Sequence, residues 1–260
     1  MQNINSIFKR EFINLFILKL DENTNPTPNS MKAQRKFDYL KVNYKLSSLT
    51  GTNDADRYVN EYNLEIYGMK YDDYAENDSC HEKSVFIGKA KIELYLLGLA
   101  QTHRFSRYEL FDSHSISRRD FFNGIYNFEK HKFKKKIEEL LDESFNANLL
   151  NIDRVEILPE FRGHGYGKEV IKDIILRFYS SFGLAVLKAF PLQLEAKIGP
   201  DEWGEKMKYS EMEQNPTKAK KSLYDFYRSM GFENILKGEY FFLSPIFRND
   251  FFDSANNEEE

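Results

Sequence analysis

The stretch Arg162-Gly163-His164-Gly165-Tyr166-Gly167-Lys168 has residue types and a spacing that could do chemistry. Alternate glycines let a backbone turn tightly and approach a ligand closely. The stretch follows an apolar strand-like run, Val155, Ile157 and Leu158, and precedes a helix-like run, Val170, Ile171, Ile174, Ile175 and Phe178. A strand, a glycine turn and a helix start together offer unpaired N–H groups and the positive end of a helix dipole. Such a device binds anions, phosphate above all.

Spelling removes two phosphate loops. A nucleotide-hydrolase loop needs a glycine, four residues, then Gly-Lys-Ser/Thr; here Glu169 replaces the hydroxyl residue and Arg162 the first glycine. A dinucleotide fingerprint needs Gly-x-Gly-x-x-Gly. Gly163 and Gly165 supply its first half, Lys168 occupies its last glycine position, and no alternating βαβ array precedes it.

Arg162-x-x-Gly165-x-Gly167, led in by Val155-Glu156-Ile157-Leu158-Pro159-Glu160-Phe161, resembles motif A of the GNAT superfamily of N-acetyltransferases. Downstream, Tyr227-Arg228-Ser229-Met230-Gly231-Phe232 resembles the family's motif B. The resemblance covers about residues 85–245 and is stronger in the C-terminal half. It implies an α/β (α+β) fold: a mixed, mostly antiparallel sheet flanked by helices, with an N-terminal elaboration. It implies acetyl-CoA as co-substrate, no metal, and direct transfer of acetyl to a primary amine. Within the cofactor-binding set Arg162 to Lys168, the amides of His164, Gly165, Tyr166, Gly167 and Lys168 would hold the pyrophosphate. The backbone of Val155, Glu156 and Ile157 would pair with pantetheine, the Ile157 N–H facing the acetyl oxygen. Tyr227 would be the acid for the departing thiolate.

Such a transfer needs a neutral amine, and a carboxylate can take its proton directly or through water. Asp153 stands nine positions before the loop motif, where histone-modifying members carry a strand carboxylate. Glu156 and Glu195 are the alternatives. The sequence departs from the family at Lys220, seven positions before the motif B tyrosine, where many members carry asparagine. The polar stretch 196–215 is also long. Both departures bear on the acceptor side, and the acceptor itself is not legible.

Other chemistries find less support. His81, His103, His114 and His131 lack paired metal-ligand spacing. Asp112-Ser113-His114-Ser115 has no nucleophile elbow. The single Cys80 excludes an internal disulfide and a Cys-based zinc site. A net charge of −4 gives no global attraction to nucleic acid or membrane. The opening MQNINSIFKREF lacks a signal-peptide core and no run is long enough to span a bilayer, so a cytoplasmic protein is expected.

The elements that must position these residues follow from periodicity. Periodicity does not decide residues 8–20, where a helix running into a strand is one reading. Strands are expected at 37–46, 63–69, 85–97, 149–158, 184–190 and 240–243, with a short strand edge at 108–112. In the strand at 85–97, Ala90, Ile92, Leu94 and Leu96 share the buried face, while Lys89, Lys91, Glu93 and Tyr95 share the solvated one. Ser117 is a candidate N-cap before Phe121, Phe122 and Ile125. Helices are expected at 130–145, 168–179 and 218–230, the last stopped by Gly231. Residues 71–83 and 196–215 read as polar loops. The organisation is an N-terminal extension (1–84) that joins the sheet or caps it, an acetyltransferase domain (85–248), and an acidic disordered tail (249–260). Two other classes stay open: a non-catalytic acyl-CoA-binding protein, and an interaction module with the lysine-rich 130–136 on nucleic acid. A homodimer is left open.

Overall fold

In the computed structural model the described residues are 35–47, 54–71, 82–112, 116–144, 146–195 and 201–245. The expectations for 8–20 and the tail lie outside them, as does 72–81 of the loop expected at 71–83. The described ends of that loop are strand instead, Tyr71 closing one strand and Glu82 and Lys83 opening the next, because the two strands pair with each other. The chain forms a mixed α/β unit around one six-stranded sheet. Its strands are β1 (Tyr39–Ser47), β2 (Val59–Tyr71), β3 (Glu82–Tyr95), β6 (Leu149–Ile157), β7 (Leu184–Lys188) and β8 (Tyr240–Leu243), in that spatial order. Every neighbouring pair is antiparallel except β6–β7. A separate two-stranded ribbon joins β4 (Tyr126–Asn127) to β5 (Lys132–Phe133). Residues 39–71 thus supply the first two strands of the same sheet that carries the glycine motif.

Helices cover both faces. On one side lie α1 (Leu97–Thr102), α2 (Arg107–Asp112), α3 (Ile116–Ile125) and α4 (Lys135–Asp142); on the other lie α5 (Tyr166–Arg177) and α7 (Pro216–Arg228), and the short α6 (Glu202–Lys206) lies between α5 and α7 in the chain. Val170, Ile171, Ile174 and Ile175 of α5 are buried against Leu150, Ile152, Ala185 and Leu187. Each such side chain contributes about 1.5–3 kcal/mol on leaving water. The second core is aromatic, with Phe111, Phe122, Tyr126 and Phe133 packed between the sheet and α2–α4.

Several local expectations are corrected. Residues 108–112 are helical, because Leu110 and Phe111 bury into the second core instead of extending an edge. Ser117 lies inside α3, which starts at Ile116. The helix expected over 130–145 is only Lys135–Asp142, because 132–133 is drawn into the ribbon opposite Tyr126 and Asn127. The stretch 196–215 is not irregular throughout: it holds α6, capped by the Asp201 carboxylate on the Trp203 N–H, and a 3₁₀ turn at Tyr209–Glu211. Glu93 and Tyr95 are buried, not solvated, since α3 covers that face of β3.

Helix ends obey local chemistry. The Asn215 side chain accepts from Thr217 N–H and Lys218 N–H, each at 3.1 Å, and Pro216 opens α7 two residues before the expected start. At the other end Phe232 N–H bonds Tyr227 O and Gly231 N–H bonds Arg228 O, with Gly231 at φ +81°. That pair of bonds is a Schellman stop, which needs a left-handed residue and so favours glycine.

Candidate functional site

The site begins with a fork in the sheet. β6 and β7 pair in parallel only from Leu149–Leu184 to Ile152–Leu187. β6 continues to Ile157, held by β3 alone. Leu158 N–H bonds Ile87 O, and the Glu156 carbonyl faces Gly88, so these two residues point their polar groups at β3. Backbone groups alternate along a strand, so Val155 and Ile157 point theirs at the open edge. The Ile157 carbonyl accepts from Arg162 Nε at 2.9 Å. The open edge therefore offers the Val155 N–H and C=O and the Ile157 N–H.

A β-bulge sits at the base of the fork. Lys91 pairs with Arg154 and Ile92 with Ile152, which leaves Asp153 without a partner residue on β3. The extra residue preserves the faces: Leu150, Ile152, Val155 and Ile157 all meet the α5/α7 core. Without it, Arg154 and Glu156 would turn into that core.

The open edge leads to the glycine turn. Gly163 and Gly165 have φ of +80° and +86°, and an added Cβ at either meets nothing within 4 Å. The N–H groups of Gly163, His164, Gly165, Tyr166 and Gly167 have no hydrogen-bond partner among the described residues, whereas Lys168 N–H already bonds Gly165 O at 2.9 Å. The available amides thus start one residue before the expected His164–Lys168 set and end one before it. With the helix dipole behind them they form a concave anion site. The other expected groups in this stretch are engaged structurally. Arg162 braces Ile157 O and, through Nη2 at 2.6 Å, Met207 O. The buried Tyr166 hydroxyl accepts from Lys36 N–H and Phe37 N–H. The His164 ring stacks on Tyr166, and Lys168 lies over the Phe226 ring.

α7 adjoins the turn, with Phe226 3.6 Å from where a Gly167 Cβ would lie. Its neighbour Tyr227 packs against Phe226, Phe232 and Phe241, and its hydroxyl has no hydrogen-bond partner among the described residues. Burial pushes its pKa up to about 12, so it stays a phenol, able to donate a proton. Lys220 pairs with Glu239 at 2.6 Å.

The three carboxylates proposed as bases have different surroundings. Glu156 is buried, and its Oε1 accepts from Trp203 Nε1 at 3.0 Å and Tyr209 OH at 2.6 Å. It anchors α6 and the following turn to β6. Glu195 pairs with Arg154 at 3.5 Å. Asp153 faces a cleft of about 560 Å³ at the fork, which Glu195 also lines. Burial raises the Asp153 pKa, with Arg154 opposing. The cleft floor was not legible as a site: Glu93 accepts from Tyr95 OH at 2.6 Å, Asn151 Nδ2 at 3.1 Å and Arg118 at 3.5 Å. Strand alternation with Lys89 and Lys91 gave Glu93 no distinguishing signal.

No protein-family model, curated protein or solved structure matches this chain. Among the described residues, no helix is long and apolar enough to cross a membrane, and no three His, Cys, Asp or Glu side chains form a group that could hold a metal ion.

Proposed function

We propose that this chain is an acetyl-CoA-dependent N-acetyltransferase of GNAT-like fold, acting in the cytoplasm on a primary amine. The observation that carries the reading is the continuity of two unsatisfied backbone surfaces. The open β6 edge at Val155 and Ile157 is followed, after the Pro159–Phe161 turn, by five amides at Gly163–Gly167 that have no partner among the described residues. A ligand with an amide-bearing arm and a pyrophosphate fits both at once. When bound, acetyl-CoA supplies an activated thioester.

The residues then divide the work. The Gly163–Gly167 amides and the α5 dipole neutralise pyrophosphate charge. The Val155 N–H and C=O continue the sheet along the pantetheine arm. The Ile157 N–H, on a residue whose carbonyl Arg162 braces, would face the thioester carbonyl oxygen, where negative charge develops. Asp153, on the face of β6 that lines the cleft with Asn151, takes the amine proton. Tyr227, kept protonated by burial, gives a proton to the thiolate. The polar 201–211 segment, tied down at Glu156 and Arg162, closes the outer side.

Two measurements test this. Thermal shift and calorimetry should show stabilisation by acetyl-CoA and CoA and none by NAD; no effect of either CoA species removes the donor assignment. Thiol release with amines present should exceed that without amine. Binding without turnover would favour a non-catalytic acyl-CoA protein.

A further inference from the structure

The cleft at the fork has a charge arrangement that restricts what can enter. Its volume, about 560 Å³, is in the range of small-molecule sites. Phe121, Phe190, Leu192 and Tyr240 give it apolar walls. Four cations also line it, and each already faces a carboxylate. Lys91 is 3.0 Å from Glu61, and Lys188 is 3.9 Å from Glu239. Arg118 meets Asp56 and Glu93, and Arg154 meets Asp153 and Glu195.

Of the four lining carboxylates, Glu93 and Glu195 are engaged by Tyr95, Asn151, Arg118 and Arg154, and the other two are less committed. Asp120 lines the cleft and has no ion-pair partner among the described residues. Among the described residues Asp153 has one ion pair, a 3.7 Å contact to its chain neighbour Arg154. Glu61 and Asp56, which face Lys91 and Arg118, stand outside the lining residues, as does Glu239, which Lys188 shares with Lys220.

We infer that the cleft binds a monoamine on an apolar, otherwise uncharged body, with the ammonium between Asp120 and Asp153 and the body against Phe121, Phe190 and Leu192. A ligand carboxylate would have to displace Asp or Glu from a cation, at the cost of an existing ion pair. A second or third ammonium, as in a polyamine, would meet the lining lysines and arginines. An uncharged body avoids both penalties. The fate of the bound amine rests on the transferase reading; its binding does not.

The matched probes are 2-phenylethylamine, phenylalanine, which adds only a carboxylate, and spermidine. Calorimetric titration of the intact chain without any CoA species reads the cleft alone. 2-Phenylethylamine should bind at least about tenfold more tightly than either comparator, and Asp120→Asn, an exposed change, should weaken it about tenfold by removing one charged contact. Tighter or equal binding of phenylalanine or spermidine, no binding of any probe, or indifference to Asp120→Asn would overturn the assignment. Acetyl-CoA titrated separately tests the donor. If it fails to bind while the amine series holds, the transferase reading falls and the cleft assignment stands. If acetyl-CoA binds and spermidine is the preferred acceptor, the reverse applies.

Discussion

Gly165→Ala separates backbone strain from ligand space. Gly165 precedes α5 at φ +86° and ψ −8°, a left-handed conformation that costs a residue with a Cβ about 1–2 kcal/mol. Nothing lies within 4 Å of the added methyl, so no steric term adds to the strain. For a chain of this size each kcal/mol lowers Tm by about 2–4 °C, which gives a fall of about 2–8 °C. The methyl adds bulk, and the strain alters the backbone, within the run of five amides that have no partner among the described residues. Acetyl-CoA affinity measured on folded protein should therefore fall by at least about tenfold, the loss of one charge-assisted contact. Gly183→Ala is the control. Its Cβ would fall on the Asn146 carbonyl oxygen and close to Ser144 Oγ, so the backbone must move and stability should drop by at least as much, about 1–3 kcal/mol. It lies at the far end of α5 and should leave acetyl-CoA affinity unchanged. Calorimetry below the transition and differential scanning of both variants check this. Equal affinity losses in the two, or a destabilised Gly165→Ala with unchanged affinity, would refute the placement of phosphate at the turn.

Tyr227→Phe should leave Tm nearly unchanged, since the hydroxyl has no hydrogen bond to lose among the described residues, while kcat falls at least about tenfold at constant acetyl-CoA Kd, as removing an acid in general catalysis does. Because burial raises the folded pKa of Tyr227 to about 12 from 10.0, its contribution to stability is complete below pH 10 and is lost as pH rises toward 12; the wild-type minus Tyr227→Phe difference in denaturant midpoint reads this. Asp153 also has a raised folded pKa, so its ionisation opposes folding above its unfolded pKa. Asp153→Asn should raise Tm at pH 7, with the gain vanishing toward pH 3, and should abolish turnover. Glu156→Ala strips the acceptor shared by Trp203 and Tyr209 and should cost about 2–3 kcal/mol. Trp203 is the sole tryptophan, so a red shift of its emission reports release of α6, and an unchanged spectrum would contradict the anchor.

Strand and helix identity was largely legible because period and caps are local. The alternation over 85–97 and the spacing of Val170, Ile171, Ile174 and Ile175 each have one good solution. The errors fell where burial overrode local pattern. Glu93 and Tyr95 look solvated in a strict alternation, and only α3 folding across β3 makes that face a second interior. Lys132 and Phe133 carry helical spacing with the residues after them, yet pair with Tyr126 and Asn127.

By itself, the sequence determined that a strand, a glycine turn and a helix lie in succession, because glycine placement and apolar periodicity act through the local backbone. It also placed Tyr227 one turn before a Gly231 stop. Only the tertiary structure decided that β7 leaves β6 after Ile152, that Asp153 lines a cleft, and that Glu156 serves as an anchor. A strand's sequence specifies its two faces but not which edge stays unpaired. For Glu156 and Glu195, the partners that decide their surroundings, Trp203, Tyr209 and Arg154, lie 41 to 53 positions away in the chain.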